Sequence, residues 1–250
     1  MDMFIDCLRG KPELRDYKSP EKEIIKEKFN TIPYMDVWVS NVIEGYIYKK
    51  VSNVDAYGYK TENKMKYNKV SETKQWYKNG QMASEYYYKD GLKDGTHKQW
   101  YKNGQPFTYK EYKDGKLEGE FKEWFHDGQI GTQSYYKDGK LEGEFKEWFY
   151  NGKLHIQTNY KDGEYQGEYK RWYDNGKLFC QKYYKDGILD GEYQGWGTEG
   201  KLFCQKYYKD GILDGEYKEW LPKGTLYIHC YYKNGQPTVG NTLNNHCEYH

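Results

Sequence analysis

The sequence predicts an all-β fold: an elongated, single-layer antiparallel β-meander of seven 24-residue β-hairpin repeats, with a small mixed N-terminal cap containing one short helix. Three observations carry this reading. Seven of the eight tryptophans (Trp76, Trp100, Trp124, Trp148, Trp172, Trp196 and Trp220) recur at one fixed interval. Most of the 27 glycines fall in register with them: Gly80 to Gly224 four places on, Gly91 to Gly235 fifteen places on, and Gly95 to Gly215 nineteen places on. Between the glycines lie short segments rich in tyrosine, phenylalanine and tryptophan, residues that suit strands. Self-similarity at a fixed period is the mark of a repeat architecture.

Composition agrees. Aromatics reach 19% while hydrophobic residues total only 36%, with 31 Tyr, 9 Phe and 8 Trp. Aliphatic residues are too few for a thick core of the α/β or bundle kind, and aromatics too many for a disordered chain. The formal net charge is +1, from 39 Lys+Arg against 38 Asp+Glu, which argues against nucleic acid as a partner. No stretch approaches the roughly 18–20 apolar residues that span a bilayer. Asp2 and Asp6 stand where a signal peptide needs basic and then apolar residues. The five cysteines (Cys7, Cys180, Cys204, Cys230, Cys247) are odd in number and lack paired spacing. They are expected to be reduced thiols of a soluble intracellular protein.

Taken in order, residues 1–70 fall outside the period and are expected to cap the array. Ser19-Pro20-Glu21 opens a short helix to about Phe29, by N-cap, proline at the first helical position and early acids. Beyond Pro33, residues 37–42, 46–51 and 56–60 read as strands. Residues 71–236 hold the seven repeats, each with two strands and two turns. Asn79-Gly80, Asn103-Gly104, Asp127-Gly128, Asn151-Gly152 and Asn175-Gly176 favour two-residue type I′ turns. Segments such as Lys113-Asp114-Gly115 mark the second turn, and the lysine before it recurs in every unit (Lys89 to Lys233). Residues 237–250 form a C-terminal cap or tail.

With a two-residue turn at Asp127-Gly128, Trp124 faces Gly131, Phe125 faces Ile130 and His126 faces Gln129. Alternation then puts Phe121, Phe125, Ile130, Thr132 and Tyr136 on one nearly apolar face. Lys122, Trp124, Gln133 and Tyr135 take the other, mixed face. Equivalent positions lie about 9–10 Å apart, two strand spacings. That exceeds the reach of a disulfide, so Cys180, Cys204 and Cys230 are expected to pack rather than bridge.

The same spacing bears on chemistry. His97, His126 and His155 stand at different repeat offsets and read as surface or turn residues. His229-Cys230 with His246-Cys247 and His250 has metal-capable residue types but no standard zinc spacing. The columns Asp114, Asp138, Asp162 and Glu120, Glu144, Glu168 repeat too widely for a paired-carboxylate site. No nucleophile elbow, phosphate-binding loop, zinc-protease motif or dinucleotide fingerprint is present. The reading is therefore a non-enzymatic chain with no catalytic residue, cofactor or metal. Its candidate partner-contact face holds Trp76, Trp100, Trp124, Trp148, Trp172 and Trp220 with Lys122, Lys146 and Lys170.

The run Gly119-Glu120-Phe121-Lys122-Glu123-Trp124-Phe125-His126-Asp127-Gly128, followed by Tyr135-Tyr136-Lys137-Asp138-Gly139, resembles MORN repeats. It is most similar to the variant type of YwqK-like bacterial antitoxins and of large DNA viruses. The resemblance covers about residues 70–236. It implies an array of hairpins used for protein contact or, in some members, for membrane association. Three departures stand out: Gly195-Trp196-Gly197, where a bulge or weak strand is expected; Thr73 in place of the first aromatic; and Leu221-Pro222-Lys223-Gly224 in place of the last Asn-Gly turn. The function expected is a repeat scaffold for protein–protein interaction, as a structural or host-interaction protein of a virus. The alternatives are an antitoxin-like inhibitor of one toxin and a peripheral tether on anionic lipid. End-to-end self-association stays open.

Overall fold

The structure is a computed structural model that describes residues 48–66, 69–238 and 248–249. The expected helix at 20–29 and the run at 37–42 lie outside these residues. The described chain is all-β and antiparallel, and divides after Lys93 into two compact units.

In the first unit, β1 (Tyr48–Val54), β2 (Lys60–Lys66), β3 (Lys69–Trp76) and β4 (Met82–Lys89) pair each with the next. Residues 56–60, expected as a strand, are instead mostly turn: Asp55 Oδ1 accepts the N–H groups of Tyr57 and Tyr59, both at 2.9 Å. Such side-chain bonding favours a turn over a ladder. Thr73, in place of an aromatic, donates its hydroxyl to Asn63 Oδ1 across the β2–β3 pair at 2.8 Å.

The second unit, from Asp94 on, holds most of β5 (Leu92–Trp100) and a meander of β6 (Pro106–Lys113), β7 (Lys116–Trp124), β8 (Ile130–Lys137), β9 (Lys140–Leu141), β10 (Gly143–Trp148), β11 (Leu154–Lys161), β12 (Glu164–Trp172), β13 (Leu178–Lys185), β14 (Ile188–Trp196), β15 (Leu202–Lys209), β16 (Ile212–Trp220) and β17 (Leu226–Lys233). Short β18 (Gln236–Pro237) and β19 (Glu248–Tyr249) both pair with β17.

The two turns of each repeat differ from expectation in an instructive way. Type I′ geometry sits at the Lys-Asp-Gly turns, where Asp114 (φ 47°) and Gly115 (φ 84°) both take positive φ and Lys113 pairs with Lys116. At the Asn-Gly turns only the glycine does. There Phe125 N–H donates to Gln129 O at 2.8 Å and Gly128 N–H to Phe125 O at 2.9 Å. This is a three-residue loop with a glycine bulge. Asn79, Asn103, Asp127, Asn151 and Asn175 stay out of the positive-φ region, and each side-chain oxygen accepts the N–H two residues on. Pro222 suits the same loop, since proline fits the second position of a type I turn; Gly224 N–H donates to Leu221 O at 2.8 Å.

The longer loop shifts the register. Trp124 pairs with Ile130 rather than facing Gly131, and Gly131 becomes a bulge residue against the Phe125 ring. Ile130 and Leu154 therefore partner the tryptophans and do not join the face of Phe121. Phe125 closes the loop against Gln129 instead of facing Ile130, and His126 lies within the loop; the pairs Phe121–Ser134, Glu123–Thr132 and Lys122–Gln133 keep the expected faces. The departure at Gly195 is no weak point. Strand β14 keeps its neighbours' pairing, and the register shift before its tryptophan occurs in every repeat. Gly195 fits because the Phe203 ring and the Cys204 thiol fill its side-chain space, each 2.9 Å from where a Cβ would stand.

Cys180, Cys204 and Cys230 are buried. The first two are free, as the column spacing requires. Cys230, however, is disulfide-bonded. The spacing argument governs only thiols at equivalent repeat positions, and Cys230 stands off the column of Cys180 and Cys204.

Candidate functional site

The two faces of each hairpin differ in chemistry because side chains alternate along a strand and paired residues share a face. One face holds the tryptophans. In the second unit, Trp100, Trp124, Trp148, Trp172, Trp196 and Trp220 are each half-buried and paired with an aliphatic side chain or ring: Pro106, Ile130, Leu154, Leu178, Leu202 and Leu226. Trp76, in the first unit, pairs with Met82 and lies beneath the Lys60 ammonium at 5.2 Å.

Beside the tryptophans runs a polar network built by one rule. A glutamate four residues before the tryptophan accepts from the lysine two places on, from the neighbouring strand's glutamine, and in several repeats from a tyrosine. Lys122 Nζ lies 2.6 Å from Glu120 Oε1, Lys146 Nζ 2.7 Å from Glu144 Oε2, and Lys170 Nζ 2.7 Å from Glu168 Oε2. Gln157 Nε2 donates to Glu144 at 2.8 Å and Gln181 Nε2 to Glu168 at 2.6 Å. Tyr183 donates its hydroxyl to Glu168 at 3.2 Å, and Tyr207 donates to Glu192 at 3.1 Å. The Lys146 ammonium, helped by Gln157, holds the Glu144 carboxyl below the usual carboxylate range. Lys218, then His229 and Tyr231, do the same to Glu216.

Within their own strands Lys122 and Trp124, Lys146 and Trp148, and Lys170 and Trp172 share a face, as alternation requires. The glutamates, weighed from sequence only as catalytic carboxylates, are what organises this face. Their signal was present: on a strand, Glu-x-Lys puts both side chains next to each other on one face. Where β9 and β10 are separated by Glu142, a hollow of about 380 Å³ opens between Tyr135, Glu120, Glu142, Gly143, Glu144 and Lys146. Tyr135 is 53% exposed there.

The opposite face is the drier one. It carries a ladder of rings, such as Phe121–Tyr136 with centroids 5.7 Å apart, Phe145–Tyr160 at 5.8 Å and Tyr165–Tyr184 at 4.9 Å. Burial pushes the Tyr169 and Tyr193 phenols up to about 12. His97 belongs to this ladder: it is 3% exposed and packs tilted against Tyr112, centroids 4.6 Å apart, rather than standing on the surface. His126 sits in its turn near Asn103, and His155 Nδ1 is 3.0 Å from Glu147. His229 Nε2 meets Glu216 at 2.9 Å, while His246, Cys247 and His250 lie outside the described residues. Among the described residues no three histidines, cysteines or carboxylates gather as a metal site would require, and no helix is long and apolar enough to cross a membrane.

The acids at the type I′ turns have a structural task. Glu118, Glu142 and Asp214 accept the backbone N–H of Asp138, Asp162 and Asn234, at 2.7, 2.9 and 3.2 Å.

No curated protein matches the chain. The family described as MORN repeat variant matches six stretches: residues 69–90, 93–114, 117–138, 141–162, 165–186 and 213–234. The unit between the last two contains Gly195-Trp196-Gly197, and it folds as its neighbours do. Six matched hairpins, each carrying the same two turns and tryptophan-face pairing, cover more than half of the sequence, and the chain belongs to the MORN repeat variant family.

Proposed function

We propose that the chain is a non-catalytic repeat scaffold that binds protein partners, with the tryptophan face as a contact surface. MORN repeats generally act as scaffolds for proteins or membranes. The observation that favours protein over anionic membrane is the pairing of the lysines. Lys122, Lys146 and Lys170 each lie within 2.7 Å of a glutamate on their own strand. A cation held by a neighbouring carboxylate offers little field to a lipid headgroup or a phosphate. What remains is a row of large, half-buried rings set in a polar network, and such amphipathic aromatic surfaces anchor protein interfaces. The repeat spacing, about 9–10 Å between equivalent groups, supports the absence of catalysis because reactive side chains do not converge.

The test compares proteins retained by the full chain with those retained by a Trp124→Ala/Trp148→Ala variant that keeps its β circular dichroism. Proteins held by the first and lost by the second support the reading; identical sets would reject the tryptophan face.

A further inference from the structure

At one column of the ladder face three repeats carry a lysine, while Tyr86, Ser134, Thr158 and Cys230 take its place in the other four. Ten residues after the tryptophan, several repeats place a lysine whose ammonium lies over a ring: Lys110 over Phe121 at 5.1 Å, Lys182 over Tyr169 at 4.5 Å and over Tyr184 at 5.2 Å, and Lys206 over Tyr217 at 4.8 Å. Lys206 is the fullest example. It pairs across the strands with Tyr193 and Tyr217, and its Nζ also stands 3.7 Å from Glu219 Oε1.

Three repeats earlier, Ser134 occupies the place of Lys206. It pairs with Phe121, while the adjacent pairs Gln133–Lys146 and Thr132–Glu147 set Phe145 across from it. Phe145 and Glu147 are the counterparts of Tyr217 and Glu219. The ring and the carboxylate that hold the Lys206 ammonium are therefore both present here without the ammonium. A second carboxylate joins them: Glu123 and Glu147 flank Thr132 as its partners on either side, where the counterpart of Glu123 beside Lys206 is Gly195. Among the described residues no cation lies over Phe145, and neither Glu123 nor Glu147 meets a lysine or arginine. Glu147 does meet His155 Nδ1 at 3.0 Å. Arg171 Nε–H donates to the other nitrogen of that ring at 3.2 Å.

We propose that the face above Ser134, itself only 3% exposed beneath its neighbours, is a docking site for a lysine or arginine side chain of a partner protein, its cation over the Phe145 ring and between Glu123 and Glu147. A side chain is favoured over a free small cation because its apolar stem can lie along Phe121 and Tyr136 while the head reaches the carboxylates. The proposal rests on the reading of the chain as a protein-binding scaffold, and adds a contact on the face away from the tryptophans.

The probe is a capped peptide of alternating lysine and glycine, with a glutamate–glycine peptide as control, titrated calorimetrically against the full chain at low salt. The wild type should bind the lysine peptide and not the control. Ser134→Lys, which fills the site from within as Lys206 does, should weaken binding at least about tenfold, and Glu123→Gln/Glu147→Gln should do the same. Thermal melting checks that each variant folds; should Ser134→Lys fail to fold, Phe145→Leu removes the ring face at similar volume and should also weaken binding. No binding by the wild type, or undiminished binding by the folded variants, overturns the site. Failure of the lysine peptide with capture through Trp124 and Trp148 intact removes this site alone, whereas loss of that capture result removes the scaffold reading.

Discussion

Lys170 Nζ lies 2.7 Å from Glu168 Oε2, two residues back along the same strand. The other oxygen of that carboxylate takes Gln181 from the next strand at 2.6 Å. A single glutamate thereby fixes one neighbour along the strand and another across it, and the arrangement recurs at Glu144 with Lys146 and Gln157. Each exposed ion pair of this kind contributes only about 0.2–1 kcal/mol. Its larger consequence is electrostatic: the face displays lysines whose charge is already answered.

Glycine at the third column is predicted to matter unevenly. Gly119 has φ +110°, and a Cβ there would stand 1.9 Å from Glu111 Oε2. That oxygen accepts the Glu120 N–H at 3.0 Å, and its partner Oε1 accepts the Tyr109 hydroxyl at 2.5 Å, so the side chain cannot swing away without losing bonds. Gly119→Ala should cost about 2–4 kcal/mol by chemical denaturation, from backbone strain and broken hydrogen bonds. Gly143 shares the positive φ, at +77°, but has nothing within 4 Å. Gly143→Ala should cost only the strain, about 1–2 kcal/mol.

The two faces should also separate by stability. Phe121 packs against Tyr136 and beneath Lys110 on the drier face, so Phe121→Ala is expected to cost about 2–3 kcal/mol. Trp124 rests on Ile130 alone among its strand partners, on the wetter face, and Trp124→Ala should cost about 1–2 kcal/mol. Equilibrium unfolding measures both; the reverse order would contradict the face assignment.

Alkali should loosen the fold through its buried phenols. Burial raises Tyr169 and Tyr193 to about 12 from an ordinary value of 10.0. A group whose folded pKa is raised favours the protonated fold, so its contribution is complete below pH 10 and is lost as pH climbs toward 12. Thermal melting should be flat with respect to these groups below pH 10 and fall steeply above it, with tyrosinate absorbance appearing as the fold is lost.

The free thiols should be silent in the native state. Burial raises the Cys180 thiol and lifts Cys204 to about 11, and only the thiolate reacts. Peptide mapping after treatment with a thiol reagent should find neither residue labelled until denaturant is added.

Much of this was legible because a strict period exposes every column at once. Trp124, Lys122, Gln133 and Tyr135 share a face by alternation alone, and the Lys-Asp-Gly segments mark turns wherever they occur. The identity of the Asn-Gly turn was not legible. Asn-Gly suits both a two-residue and a three-residue loop, and the choice depends on whether the asparagine oxygen captures the N–H two residues on, as Asn103 does for Gln105. That one residue of difference moves Ile130 to the tryptophan and makes Gly131 a bulge. The site around Ser134 was hidden for another reason: no pattern links a serine to the lysine at position 206 until the register shows which ring and which carboxylate each one stands beside.

As proposed, the tryptophan face is a surface for protein whose lysines are internally neutralised. Flotation with vesicles rich in anionic lipid at low salt tests it most directly. The wild-type chain should remain with the unbound fraction, and Glu120→Gln/Glu144→Gln/Glu168→Gln, which releases Lys122, Lys146 and Lys170, should float in a salt-sensitive way. Flotation of the wild-type chain that salt abolishes would contradict the claim.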